Sequence, residues 1–158
     1  MSPPDARPAP ANPLADGVFA MWLCEAAVGA VLAVAAAFAL ASSIGGALMP
    51  WLPVAVLVGG VAWVLFVPRA RHARWRWELH EEELDLLHGV WNVTRTIVPL
   101  TRIQHVAVQR TGWTRLFGVV VVHAYTAAGG TTLPGLEPAQ ADDLRDQILA
   151  RLRAPDDL

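Results

Sequence analysis

The chain has 158 residues and a net charge of −2, with 54% hydrophobic and only 16% charged residues. Soluble domains carry about 25% charged residues. Residues 1–67 hold just four charges, Asp5, Arg7, Asp16 and Glu25, while the other 22 lie in residues 68–158. One part therefore reads as membrane and the other as globular. All twelve basic residues are arginine, which excludes Schiff-base lysines, serine–lysine dyads and Walker-type phosphate loops. Serine occurs only at Ser2, Ser42 and Ser43, and Cys24 is the single cysteine, so a serine nucleophile in the globular part, an intrachain disulfide and a Cys-rich zinc site are excluded too.

Residues 1–17 are rich in proline and alanine and poor in large apolar side chains, a composition expected to leave a disordered tail. Residues 18–67 contain one charge, Glu25. A span needs about 20 apolar residues, so this stretch suits two helices, near Phe19–Ala41 and Met49–Val67. The turn between them is marked by Ser42, Ser43, Gly45, Gly46, Pro50 and Pro53. Ala37-Phe38-Ala39 resembles a signal cleavage site, but the leading segment lacks a positive region. Arg69, Arg71, Arg74 and Arg76 follow the second span directly, and the inter-helix turn is uncharged. The positive-inside rule then puts both termini in the cytoplasm. Trp22, Trp51, Trp75 and Trp77 fall near the expected membrane interfaces.

From residue 74 the period changes to two. Trp75, Trp77 and Leu79 alternate with Arg74, Arg76, Glu78 and His80. Further strands are expected over 84–88, 90–98, 102–109, 119–126 and 131–133, with a helical turn at 111–118. A closing helix begins at Pro138, with Ala141, Leu144, Ile148 and Leu152 in one stripe. The fold class is α+β: a transmembrane helical hairpin (18–67), then a small antiparallel β barrel or sandwich capped by a C-terminal helix (68–153), and a short tail over 154–158.

Arg74-Trp75-Arg76-Trp77-Glu78-Leu79, Glu83-Leu84, Gly89-Val90, Val98-Pro99-Leu100-Thr101-Arg102-Ile103-Gln104-His105-Val106, Leu116-Phe117-Gly118 and Pro134-Gly135-Leu136 occur in this order. In this the chain resembles small bacterial membrane proteins of the YdbS-like kind, over about residues 18–153. The resemblance implies a pleckstrin-homology (PH)-like domain behind a membrane hairpin, with two bent antiparallel sheets and a C-terminal helix. It implies no enzymatic activity, and an association with larger membrane proteins carrying several copies of the domain.

Two sets of residues stand out. Arg69, Arg71, Arg74 and Arg76, with Trp75 and Trp77, suit anionic lipid at the inner leaflet, each arginine gaining about 1 kcal/mol near such a surface. Trp75 and Trp77 equally suit the core of the first strand. Arg102 and Gln104, two apart on one strand and so on one face, with His105, are candidates for a partner protein, as is Glu25 inside the first span. No catalytic residue, metal ligand or cofactor site is expected: the histidines are scattered, and Glu81–Asp85 reads as a solvated turn. The expected partners are membrane lipids and another membrane protein, a relative with several PH-like domains or a second copy of this chain; nucleic acid is not expected. The reading is a non-enzymatic scaffold or assembly subunit at the bacterial inner membrane, the alternative being an anionic-headgroup-binding module.

Overall fold

The computed structural model describes residues 7–45, 51–127 and 129–153. Two long helices come first, α1 (Asp16–Ile44) and α2 (Trp51–Arg74). Both are long and apolar enough to cross a membrane, and neither hides its apolar surface inside the protein. They pack antiparallel. Ala27 shares a groove with Val64 and Leu65, and Val34 with Leu57. Gly60 lies so close to Ala30 that an added Cβ would sit 3.1 Å from the alanine methyl, the close approach that small residues permit. Of the expected turn, residues 46–50 lie outside the described residues, as do residues 1–6 and the tail at 154–158.

The second helix does not stop at Val67. It runs through Pro68 to Arg74. Pro68 has no N–H for the carbonyl four residues back. One position on, Arg69 Nη1 donates to the Leu65 carbonyl at 2.7 Å. The chain passes from α2 into β2 (Arg76–Leu79) through Trp75, with no linker.

The globular part has two antiparallel sheets. The first has the order β1-β2-β3-β4, with β1 (Asn12–Pro13), β3 (Glu83–His88) and β4 (Thr94–Pro99). A 3₁₀ turn (Leu100–Arg102) leads to the second sheet, β5 (Ile103–Gln109), β6 (Val120–Thr126) and β7 (Gly129–Leu136), in that order. A short helix, α3 (Gly112–Leu116), joins β5 to β6, and Thr111 caps it with a reciprocal hydrogen-bond box to Thr114. The last helix, α4 (Pro138–Arg153), buries Ala141, Leu144 and Ile148 on the core. The expected strands, helical turn and closing helix are present, with β4 starting at Thr94 rather than residue 90 and β7 reaching from Gly129 to Leu136.

The expected tail over residues 1–17 is corrected in its described part. Asn12 and Pro13 pair with Trp77 and Arg76, and Pro10, Leu14 and Ala15 are buried. Apolar area alone does not decide whether such a segment is ordered. Here donors from the domain take the segment's carbonyls: Trp77 Nε1 donates to Pro13 at 3.1 Å, and Arg95 donates to Arg7 and Pro8 at 3.1 and 3.0 Å. Prolines already restrict the unfolded segment, and an edge strand tolerates their missing N–H groups.

The hairpin boundary also shifts. Val18, Met21 and Trp22, at the start of α1, belong to the domain core rather than to the apolar span. Gly17 and Gly135 make this possible. A Cβ on Gly17 would strike the Phe117 carbonyl oxygen, and one on Gly135 would strike Val18. Hairpin and domain thus share one core.

Candidate functional site

The four arginines after the second span lie where α2 enters the domain, and each is engaged by its own chain. The Arg71 guanidinium stacks over Trp22 at 4.0 Å and is close enough to Glu25 for mutual attraction. Arg69 lies 5.8 Å over Phe19. Arg74 donates to the Val90 carbonyl, and Arg76 Nη1 to the Trp75 carbonyl at 2.8 Å. Next to them His72 bonds the Ala15 carbonyl at 3.3 Å and meets Phe19 edge-on. Together these contacts tie the two helix ends to each other, and Arg74 ties α2 to the β3–β4 loop. Trp75 and Trp77, weighed as interfacial or core, are core: they are 7% and 8% exposed, and Trp75 stacks on His88. Trp22 is also buried.

Of the partner-binding candidates, Glu25 is claimed by the domain. Trp113 Nε1 donates to its Oε1 at 3.1 Å. The same residue closes one end of a groove between the helices, about 390 Å³, lined by Gly29, Ala33, Gly59 and Trp63 among others. Arg102 and Gln104 are both exposed but do not share a strand face as their spacing predicts. Arg102 closes the 3₁₀ turn, and the register of β5 against β6 shifts between Ile103 and His105. That bulge exposes Gln104 and His105 in succession. His105 stacks on Tyr125, which stacks on His123, with centroids 6.0 Å apart in both pairs. His123 is held by Gln109 at 2.9 Å and Thr132 at 3.0 Å. The outward side of the second sheet therefore carries a row of polar and aromatic groups. Among the described residues, no three His, Cys, Asp or Glu side chains assemble a metal site.

Sequence reasoning missed two features. One is the pair Asp85–Arg95, in which Arg95 Nε reaches both carboxylate oxygens at 3.1 Å and Nη2 reaches Oδ2 at 2.5 Å, while Nη1 and Nη2 also hold the Arg7 and Pro8 carbonyls. Asp85 faces Ile97 across the ladder, and a period-two pattern had no reason to distinguish it from the acidic turn before it. The other is Trp91, 90% exposed in the β3–β4 loop with Val93 at 61%. A tryptophan between Gly89 and Asn92, both turn formers, has no strand face in which to hide, and that was the available signal.

A bacterial PH domain family model matches residues 18–152. Over 101 residues the chain is 40% identical to the transmembrane protein YdbS of Bacillus subtilis (strain 168), which covers 64% of this chain. The chain likewise spans 64% of that relative's length. No solved structure matches.

Proposed function

The chain belongs to the bacterial PH domain family, and from that premise we propose that this membrane protein is a non-enzymatic assembly subunit. Its two helices form a two-pass hairpin with both termini in the cytoplasm, and its domain docks another membrane protein on the cytoplasmic side of the bacterial inner membrane. The observation that carries the reading is the outward side of the second sheet. His105, Tyr125 and the half-buried His123 form one stacked row there, with Gln104 exposed at the neighbouring bulge and Arg102 exposed in the 3₁₀ turn before it. The edge strand β5 is bulged, and bulges discourage strand addition. Docking through side chains on this face is thereby favoured over strand addition at β5. A relative carrying several PH-like domains, or a second copy of this chain, is the expected partner.

The headgroup-binding alternative rests on Arg69, Arg71, Arg74 and Arg76. Their ring stacking and carbonyl contacts within the chain favour a role in holding the helix–domain junction. The test is in-cell crosslinking of the full-length protein, followed by mild-detergent purification and mass spectrometry. The wild type is compared with an Arg102→Ala, Gln104→Ala, Tyr125→Ala variant that keeps the wild-type melting temperature. One dominant membrane partner lost in the variant supports the reading. Crosslinks unchanged in the variant, or no reproducible neighbour, refute it.

A further inference from the structure

We propose that Trp91 and Trp113 are a pair of bilayer-interface anchors, one beside each helix, that seat the domain directly on the phospholipid headgroups. The proposal rests on the hairpin reading above and adds a specific lipid-facing surface to it.

The helices are in register where Gly60 meets Ala30. From that level Glu25 lies five residues toward the domain on α1, roughly 7.5 Å, and Phe66 lies six residues toward it on α2, roughly 9 Å. Glu25 and Phe66 are thus nearly level. Beyond Glu25 the uncharged stretch from Ala26 to Ile44 is 19 residues, roughly 28 Å of helix, which matches the hydrocarbon thickness of a bilayer. The boundary between acyl chains and headgroups therefore falls at Glu25 on one helix and Phe66 on the other.

Both tryptophans stand at that boundary. Trp91 and Val90 flank Phe66, Val67, Ala70 and Arg74 of α2 around a cleft of about 370 Å³. The Arg74 bond to the Val90 carbonyl fixes the loop against the helix. Trp113 reaches Glu25 itself on α1. Trp91 is 90% exposed within the protein, and Trp113, which meets Phe117 edge-on at 5.1 Å, keeps 40% of its surface open. An amphipathic indole at this depth partitions to the interface, its ring among the upper acyl chains and its N–H among polar groups. The occupant that fits is the phospholipid surface, because the patch is continuous with the apolar faces of the spans.

Site-directed fluorescence tests this in the full-length protein. Cys24 is replaced by alanine, and single cysteines labelled with a polarity-sensitive dye are placed at Trp91, Trp113, Glu82 and Val58, one per variant. The proteins are reconstituted into phosphatidylcholine–phosphatidylglycerol vesicles at high lipid-to-protein ratio. The melting temperature of each labelled variant confirms that it folds, and Trp91→Phe and Trp113→Phe, probed with shallow brominated lipid, provide a label-free check. Expected are blue-shifted dye emission and several-fold weaker iodide quenching at 91 and 113 than at the aqueous control, 82. Bromine quenching of total tryptophan emission should also fall in each phenylalanine variant. Quenching at 91 and 113 equal to that at 82, with 58 protected, overturns the inference and leaves the hairpin standing. Quenching at 58 equal to that at 82 overturns the hairpin reading itself. Protection at 91 and 113 that disappears as protein is diluted in lipid makes the occupant a second copy, and also overturns the inference.

Discussion

Replacing Arg95 with methionine removes the counter-charge of a carboxylate that has nowhere to go. The Asp85 side chain is 1% exposed and that of Arg95 is 17% exposed. Arg95 donates to both Asp85 oxygens, and its remaining donors hold the Arg7 and Pro8 carbonyls. Methionine keeps the length of the side chain but supplies no donor. Breaking a buried pair by deleting one partner costs about 3–5 kcal/mol. In a chain of this length each kcal/mol lowers the melting temperature by about 2–4 °C, so the expected fall is roughly 6–20 °C. Asp85→Asn is milder. Asparagine still accepts from Arg95, and the partly exposed guanidinium can turn to water, so the expected cost is about 1–3 kcal/mol. The double variant Asp85→Leu, Arg95→Met should recover most of the single Arg95 loss, because an apolar pair leaves no stranded charge. The assay is thermal unfolding in detergent, followed by fluorescence of the buried Trp75 and Trp77. Hydrogen exchange at the Ala11 amide, which donates to Glu78 Oε2, reports on the N-terminal segment. If Arg95→Met melts within ~2 °C of the wild type, or if the double variant is no better than the single, the pair does not carry this energy and the reasoning fails.

Other substitutions probe the rest of the scaffold. Gly135→Ala drives a methyl into Val18, and Gly17→Ala drives one into the Phe117 carbonyl. Each should cost about 1–3 kcal/mol, read as a lower melting temperature, with Gly17→Ala the worse because a backbone atom cannot turn aside. Ile148→Ala empties a fully buried position under α4 and should cost about 2–5 kcal/mol by chemical denaturation. Trp113→Phe deletes the bond to Glu25 while keeping the ring. It should cost about 1.5–3 kcal/mol if the carboxylate is charged, and Glu25→Gln measured beside it separates charge from acceptor.

The fold was legible in the sequence wherever one period governed a whole element. The two long helices follow from uninterrupted apolar length, β6 from a continuous apolar run, and β2 and the stripe of α4 from spacing, because these last bury one face against one core. What stayed hidden depended on contacts between distant segments. The N-terminal residues have no periodicity, and their order comes from donors on Trp77 and Arg95, some 64 and 87 residues away. The continuation of α2 through Pro68 was masked by a residue that commonly ends helices. Alternation correctly grouped Trp75, just before β2, with Trp77 on it, but it could not say whether that side meets lipid or core. For Arg102 and Gln104 the rule about residues two apart on a strand did not apply, because Arg102 lies in the 3₁₀ turn and Gln104 at the bulge of β5.

The shared core of hairpin and domain bears directly on how such a protein can assemble. A flexible linker would let the domain sample a wide volume, and every productive encounter would then lose that freedom. Here α1 begins inside the domain, with Val18 fully buried, and α2 leads directly into the buried Trp75. Rotating the domain on the hairpin would require Val18, Met21 and Trp22 to leave the core. That is three large apolar side chains at about 1.5–3 kcal/mol each. The face bearing His105 and Tyr125 is therefore held at one height and one tilt with respect to the helices. Under the assembly role proposed above, a membrane partner would meet a preoriented surface and search only in the plane of the bilayer. The same rigidity sets a limit: a partner whose own docking face lies at another height cannot be accommodated by bending at the junction. Inserting a flexible glycine–serine segment between Arg74 and Trp75 should consequently weaken partner crosslinking even where the domain itself remains folded.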